Sequence, residues 1–424
     1  MSLDALALAV LAVALIAVST FQFISLGVSS GRAAAHARRR RSQDVLGLRQ
    51  AAEIARLNSE LQAAASGSAL PWRVLEVSEI IDESRDCRSF YLIDPYGQTL
   101  PDFHPGQHLL VRPALASAFP TTRCYSLSNS PDGRVWRITV KRQAVGPPGS
   151  RLPHSGGLST WLHEAIGVGD CLLIGGPTGQ FFLPPDNHRP LVLVAAGVGI
   201  TPMASMLRWS LEHTPQRPLA LLYQAKDAEH WPLGQSLHLC QPRMPQGQVQ
   251  SFFSRSALPQ LQHLRHTLPG EFTAGKLTTQ HLLRALPGRQ CDYFLCGPTT
   301  WMDALRSELT AAGIAPEHVH WESFGTAAQT ALPASPAGTA ALSVRFEHSD
   351  VDTQWQDPEQ TVWELAREHQ VEIPSGCLSG VCGSCRVKLL SGQVVYDREV
   401  NIELAANECL SCIARPQTAL RIDA

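Results

Sequence analysis

Hydrophobic positions fall along the 424-residue chain in distinct rhythms. Leu3 to Val28 is an almost continuous apolar run, broken by Asp4, Ser19, Thr20, Gln22, Ser25 and Gly27. Roughly 20 such residues span a bilayer as a helix, so this run is just long enough. Between Ser42 and Gln62 the apolar residues Val45, Leu48, Ile54, Leu57 and Leu61 recur at three- and four-residue spacings, which predicts a helix. It holds too few heptads for a sustained coiled coil and reads as a stalk. From Trp72 to about Pro184, short apolar runs (Phe90 to Ile93, His108 to Val111, Val135 to Val140, Cys171 to Ile174) alternate with Gly and Pro punctuation. That spacing predicts a small antiparallel β-barrel. The rhythm changes from Leu191 to Phe324. There Leu191 to Ala196, Leu219 to Tyr223 and Tyr293 to Leu295 read as buried strands, each followed by a loop or helix. Strands alternating with helices predict a doubly wound α/β sheet. Ala327 to Ala341, rich in Ala, Pro, Ser, Gly and Thr, reads as a linker, and Leu342 to Ala424 as a third folded unit.

The expected organisation is therefore a transmembrane helix (1–30), a basic juxtamembrane stalk and linker (31–70), a β-barrel domain (71–186), a nucleotide domain (187–326), a linker (327–341) and a C-terminal domain (342–424). No Lys or Arg precedes the apolar run, whereas Arg32, Arg38, Arg39, Arg40 and Arg41 follow it. By the positive-inside rule the bulk of the chain is then cytoplasmic, held by one N-terminal helix in the lipid bilayer. A cleaved signal peptide is the alternative, but it has a basic start and a shorter apolar core. The arginines could also bind nucleic acid, yet their position beside the span favours lipid headgroups. Apolar content of 44% and charged content of 17% suit a folded chain. The net charge of -2 gives no basic field, so no nucleic-acid partner is expected.

Eleven cysteines are present, and five crowd the last fifty residues. Cys377, Cys382 and Cys385 form a C-x4-C-x2-C loop, and Cys412 follows. Soft thiolates at this spacing suit a plant-type 2Fe-2S cluster. Gly376, Ser379, Gly380, Gly383 and Ser384 let the backbone wrap closely and turn amides toward the sulfurs. Zinc is the alternative metal, since Cys409 and Cys412 form a C-x2-C pair. The Gly-rich loop favours the cluster and leaves Cys409 as a spare thiol. The segment resembles plant-type ferredoxins along its whole length, including the hydrophobic strand and proline of Ile413 to Pro416. That resemblance implies an α+β ferredoxin domain of the β-grasp type, with Cys377, Cys382, Cys385 and Cys412 as ligands.

Two patterns in the barrel segment point to a phosphate-bearing planar ligand. Arg123-Cys124-Tyr125-Ser126 places a guanidinium beside an aromatic and a hydroxyl. Gly156-Gly157-Leu158-Ser159-Thr160 precedes a helical pattern, and a helix N-terminus binds phosphate through its free amides. Read alone, these are equally a core tyrosine on a strand and an ordinary N-cap. In the next segment, Gly197-Val198-Gly199-Ile200-Thr201-Pro202 follows a buried strand and opens a helix. It lacks the third glycine of the dehydrogenase fingerprint. Cys296-Gly297-Pro298-Thr299-Thr300-Trp301-Met302 follows another strand about a hundred residues on.

The order barrel, nucleotide domain, ferredoxin resembles the ferredoxin-NADP reductase superfamily fused to a C-terminal ferredoxin, as in oxygenase reductases. The resemblance implies that Arg123 holds a flavin phosphate, Tyr125 lies on the isoalloxazine and Ser126 bonds near its N5. It further implies that Gly157, Leu158, Ser159 and Thr160 contact the pyrophosphate, which favours FAD over FMN. Gly197, Gly199, Thr201, Pro202, Gly297 and Pro298 become NAD(P)H contacts, Cys296 lies near the nicotinamide, and Glu322 lies near the flavin. Ser126, Cys296 and Glu322 are the expected catalytic residues. Lys226, Arg255 and Lys276 are the available cations after Tyr223, and Asp227 adds an acid, which leans toward NADH over NADPH.

The expected activity is transfer of electrons from NAD(P)H through flavin and the 2Fe-2S cluster to an oxygenase, desaturase or similar protein. Direct reduction of small acceptors such as quinones or ferric chelates, and a redox sensor, are the rival readings. No proton-transfer triad is required, so the histidines read as surface or structural groups.

Overall fold

The computed structural model describes residues 72–113, 122–143, 157–256, 258–288, 290–324, 341–373, 378, 380, 383–396, 400 and 404–424. The expected transmembrane helix and stalk lie outside these residues, as do Cys377, Cys382 and residues 327–340. Among the described residues no helix is long and apolar enough to cross a membrane.

The first domain has six strands: β1 (Trp72–Ser84), β2 (Cys87–Ile93), β3 (His108–Pro113), β4 (Arg123–Ser126), β5 (Trp136–Lys141) and β6 (Cys171–Thr178). They run in the order β4-β3-β6-β1-β2-β5 with antiparallel neighbours. An antiparallel bridge between Leu127 and Ile138 joins the two outer strands and closes the sheet into a barrel. Alternate residues point inward, so Phe90 and Leu92 on β2 meet Trp136 and Ile138 on β5 in one core. Helix α1 (Gly157–Ala165) inserts Leu158 and Leu162 into that same core.

The second domain is an open sheet of β7 (Leu191–Ala196), β8 (Leu219–Ala225), β9 (Gly247–Phe253), β10 (Glu271–Ala274), β11 (Asp292–Gly297) and β12 (Val319–Ser323). All five pairings are parallel, in the order β10-β9-β8-β7-β11-β12. Helices α2 (Ile200–His213), α3 (Gly234–His238), α4 (Leu258–Thr267), α5 (Thr279–Ala285) and α6 (Thr299–Ala311) complete it. A central parallel strand is covered on both faces, which explains the unbroken apolar run of β7. Leu191, Leu193 and Ala195 enter the core shared with α2, whereas Val192 and Val194 enter the opposite core shared with α6. Strands β9 and β10 carry no aliphatic run. β9 mixes Gln248, Gln250 and Ser251 with its apolar residues, and β10 is a four-residue edge, so hydrophobic pattern alone passes over both.

At the amino end of β11, Asp292 is 2% exposed. It accepts hydrogen bonds from Asn187 Nδ2 at 2.6 Å and Arg189 Nε at 3.0 Å, with His318 Nδ1 at 2.9 Å. Arg217 donates to Asn187 and to the Arg189 carbonyl, extending the network. Removing one partner of a buried ionic network strands the others. Asp292→Ala is expected to lower stability by about 3 kcal/mol, the lower end of the range because Arg189 is partly solvated. A shift of less than about 0.5 kcal/mol in a denaturant titration of this domain would contradict that account.

The C-terminal domain comprises β13 (Leu342–Phe346), β14 (Val351–Trp355), α7 (Val362–Glu368), β15 (Arg386–Ser391), β16 (Val394–Tyr396), β17 (Glu408–Leu410), β18 (Ala414–Pro416) and β19 (Leu420–Asp423). Its main sheet, β14-β13-β19-β15-β17, is mixed, with β13 and β19 parallel, and β16 pairs β18 separately. Helix α7 starts at a capping box. Thr361 Oγ1 accepts from the Glu364 amide at 3.2 Å, and the Glu364 carboxylate accepts from the Thr361 amide at 2.9 Å. The buried face of α7, Val362, Leu365 and Ala366, packs on Val344 and Phe346 of the sheet.

Candidate functional site

In an open parallel sheet the strand order reverses at one point, and loops leaving the carboxyl ends there diverge and leave a crevice. Here the reversal falls between β7 and β11. The two expected nucleotide motifs are the loops that leave those two strands. Residues 197–199 form a 3-10 turn after β7, with Gly197 at φ +57, and α2 begins at Ile200. Gly199 packs directly on the other loop: a Cβ there would lie 2.3 Å from the Cys296 carbonyl oxygen and 2.9 Å from the Gly297 nitrogen. Only glycine permits that approach. Thr201 is buried, and its hydroxyl donates to the Val198 carbonyl at 3.1 Å, fixing the turn. Pro202 sits in the first turn of α2, where a missing N–H costs nothing. Pro298 is the N-cap of α6. The loop glycines and prolines therefore shape the crevice with backbone rather than side chains.

Cys296 pairs in register with Ala195 on one side and Glu322 on the other. It is fully buried, and burial, followed by the Glu322 charge, pushes its thiol well above the usual range. Cys296 is thus a neutral, apolar neighbour of the crevice and no nucleophile. Glu322 is 5% exposed at the end of β12.

The barrel meets this end of the sheet. Ser205 of α2 donates to the Asn129 carbonyl at 2.7 Å, tying the two domains together. On the barrel side, Ser126 of β4 lies directly across from His108 of β3. His108 Nδ1 is 3.7 Å from Glu322 Oε1 across the domain boundary, with side-chain exposures of 4% and 6%. Ser126 Oγ and His108 Nε2 are both buried with no hydrogen-bond partner among the described residues. Orphaned buried polar atoms are rare because each costs about 1–3 kcal/mol, so two on one face mark a place where a polar ligand edge fits.

Tyr125 is half-buried against the barrel core, and burial raises its phenol above the ordinary value. Arg123 directs Nη1 to the Thr122 carbonyl at 3.0 Å. In α1 the four residues Gly157 to Thr160 form the first turn, whose amides lack intrahelical acceptors. Leu158 is 2% exposed and its side chain belongs to the barrel core, so only its amide is available to a ligand. Ser159 Oγ accepts from the Gln143 amide at 3.2 Å, and Thr160 Oγ1 donates to the Gln143 carbonyl at 3.4 Å. These hydroxyls anchor the helix to the end of β5.

In the C-terminal domain, Cys385 Sγ and Cys412 Sγ lie 3.0 Å apart, both buried. A disulfide requires about 2.05 Å, so these are two converging thiols. Ser411 creates the pairing, since its amide and its hydroxyl both donate to the Cys385 carbonyl, at 3.1 and 2.9 Å. Cys409, on β17, packs instead into the core beneath α7, and burial pushes its thiol up to about 12. The C-x2-C pair that zinc would need is thereby split. Cys377 and Cys382 lie outside the described residues, and among the described residues no group of three metal-ligating side chains occurs.

Residues 344–417 match the family described as 2Fe-2S iron-sulfur cluster binding domain. The flavohemoprotein of Oceanobacillus iheyensis is 31% identical over 259 residues, covering 60% of this chain and 59% of that protein. The flavohemoprotein of Chromobacterium violaceum is 33% identical over 265 residues, covering 62% and 63%. The chain thus spans less than two thirds of these relatives. The flavohem-like FAD/NAD binding domain of the nitric oxide dioxygenase from Vibrio cholerae superposes with a TM-score of 0.51 at 28% identity, covering 60% of this chain and 98% of that one. Residues 344–417 thus belong to the 2Fe-2S domain family, and the rest of the chain is similar to the FAD/NAD binding part of these proteins. Phthalate dioxygenase reductase shares the fold, with a TM-score of 0.56 at 24% identity over 85% of this chain and 99% of that one.

Sequence pattern missed one member of the site. His108 reads as an ordinary residue of a strand, and its neighbours in sequence carry no motif. Its cross-strand register to Ser126 and its approach to Glu322 exist only once two domains have docked. His238, by contrast, fits the structural reading of the histidines. It is fully buried between the Pro269 carbonyl and the Ser251 hydroxyl, and burial lowers it to about 4.

Proposed function

We propose that this chain oxidises NAD(P)H and delivers electrons singly to a protein acceptor such as an oxygenase or desaturase. The observation that carries the reading is that His108, the register partner of Ser126 in the barrel, meets Glu322, the register partner of Cys296 in the sheet, in a buried setting with an orphaned Ser126 hydroxyl. FAD and a 2Fe-2S cluster supply the chemistry, converting a two-electron hydride into single electrons. Arg123 and the first-turn amides of α1 bind the phosphates, Tyr125 supports the ring and Ser126 satisfies its polar edge. Gly197, Gly199, Thr201, Pro202, Gly297 and Pro298 hold the nicotinamide nucleotide against the sheet. Cys296 excludes water beside it as a neutral thiol. Cys377, Cys382, Cys385 and Cys412 hold the cluster. Asp227, just after β8, adds an acid to a segment poor in cations, which supports NADH, although its carboxylate is engaged by His230 at 2.7 Å. Residues 3–28 anchor the chain in the membrane with its folded domains on the cytoplasmic side.

The test uses membranes from cells producing the full chain. They are expected to reduce cytochrome c with NADH, to keep that activity through a carbonate wash, and to yield a yellow-brown protein on detergent extraction. Absence of bound flavin, or no turnover with either nucleotide, would overturn the reductase reading. Release of the activity by carbonate would overturn the anchor alone.

A further inference from the structure

Helix α7 carries one large residue that its packing on the sheet does not account for. Val362, Leu365 and Ala366 form its buried face, whereas Trp363 lies half-buried one position round the helix. Its ring bridges two apolar groups, the domain core and the separate cluster of Cys385, Leu410, Cys412 and Ile413. The exposed Arg367 lies over the ring, with its guanidinium carbon 5.1 Å from the ring centroid.

Trp363 makes two hydrogen bonds to distant segments, and both segments lead into cysteine ligands. Its amide belongs to the first turn of α7, where no intrahelical acceptor exists, and donates to the Ser411 carbonyl at 2.9 Å. Ser411 directly precedes Cys412 and clasps the Cys385 carbonyl through its own amide and hydroxyl. The indole Nε1 donates to the Ile373 carbonyl at 3.1 Å. Ile373 is buried, and Cys377 follows it four residues later. One tryptophan therefore ties down both the chain entering the C-x4-C-x2-C loop and the segment bearing the fourth cysteine. A buried indole N–H ordinarily finds an acceptor, and any nearby carbonyl would serve a residue of the core. Here both acceptors flank ligands.

We propose that Trp363 is a positioning residue for the 2Fe-2S cluster, holding the two ligand-bearing segments at the separation the cluster needs. The inference rests on the 2Fe-2S assignment of residues 344–417 and not on the flavin or nicotinamide readings. Cys385 Sγ and Cys412 Sγ converge to 3.0 Å, and the path Trp363–Ser411–Cys385 is the hydrogen-bonded connection that fixes this approach to α7. A cluster is lost when its loop opens locally and water reaches the thiolates. The indole bond opposes that opening at the entrance to the loop, and the ring keeps water from the two buried sulfurs. Groups that hold a metal's ligands without touching the metal cost about 10–100-fold in affinity when removed.

The experiment uses the full-length, detergent-purified protein. It follows the visible absorbance of the cluster after addition of excess EDTA, together with EPR spectra of the dithionite-reduced cluster. Trp363→Phe keeps an aromatic ring in the same space and loses the indole donor. It is expected to release its cluster about tenfold faster than the unaltered protein, the lower end of the range because the amide bond to Ser411 stays. Its EPR g values are expected to shift, because the loop amides meet the sulfurs at altered angles. Flavin content and ferricyanide reduction should stay within about twofold. A role confined to packing predicts the reverse, since phenylalanine restores the ring and both lifetime and spectrum persist. A release rate within about twofold of the unaltered protein, or a superimposable EPR spectrum, overturns the proposal. Should Trp363→Phe fail to fold, Trp363→Met, a flexible apolar filler without a donor, takes its place with the same two readings. Unaltered protein without cluster absorbance would sink the cluster assignment itself. A cluster that is present and indifferent to Trp363 sinks this inference alone.

Discussion

Cys385→Ser is expected to reduce the rate of NADH-driven cytochrome c reduction at least about a hundredfold while leaving ferricyanide reduction within about twofold. The asymmetry follows from the division of labour between domains. A hard hydroxyl does not replace a soft thiolate on iron, so the cluster is lost. Ferricyanide takes electrons from the flavin directly, and the flavin site proposed above lies in the barrel, remote in sequence from the substitution. The structure sharpens the prediction by separating two cysteines three residues apart. Cys412 Sγ approaches Cys385 Sγ at 3.0 Å, whereas Cys409 turns into the apolar core. Cys412→Ser should therefore behave like Cys385→Ser. Cys409→Ala should keep the cluster absorption and cost only about 1 kcal/mol of stability for a small buried group removed. Loss of the cluster in Cys409→Ala with retention in Cys412→Ser would reverse the ligand assignment. Full cytochrome c activity in Cys385→Ser would take the cluster off the electron path.

Gly199→Ala carries the second large effect, with an expected rise in KM for NADH of at least about tenfold, or about 1.4 kcal/mol. Its added methyl would meet backbone on every side: the Cys296 carbonyl oxygen at 2.3 Å, its carbon at 2.6 Å and the Gly297 nitrogen at 2.9 Å. None of these is a flexible side-chain end, so the loops leaving β7 and β11 must separate. Those loops line the crevice where the strand order reverses. Overpacking of this kind also costs about 1–3 kcal/mol in stability. Flavin content should be preserved, because Arg123, Tyr125 and α1 belong to the barrel. Steady-state kinetics with NADH varied, alongside flavin quantitation by absorbance, checks both halves. A KM within about twofold of the unaltered value would show that the crevice is not the nucleotide site.

Much of this protein is legible in one dimension because its decisive signals are local. A buried parallel strand needs apolar residues on both faces, so β7 announces itself as Leu191-Val192-Leu193-Val194 before a glycine turn. A cluster loop needs thiolates at short spacing, so Cys377, Cys382 and Cys385 stand out without any fold. Where the physical requirement is spread over distant segments, the pattern thins. Leu158 sits inside a cofactor-like motif, yet its side chain completes the barrel core. Ser159 and Thr160 look like phosphate ligands, and their hydroxyls are already bonded to Gln143.

Sequence alone determined the order of domains, the thiolate loop and the two glycine turns, because each depends on residues that are neighbours along the chain. Tertiary structure alone decided three further things. The first is that Gly199 must be glycine for contact with Cys296, about a hundred residues away. The second is the geometry that brings Cys412, already singled out in the sequence, against Cys385: Ser411 clasps the Cys385 carbonyl. The third is that His108 faces Glu322 across a domain boundary. All three are contacts between segments far apart in sequence, set by strand register and docking of elements, and no periodicity along the chain encodes such contacts.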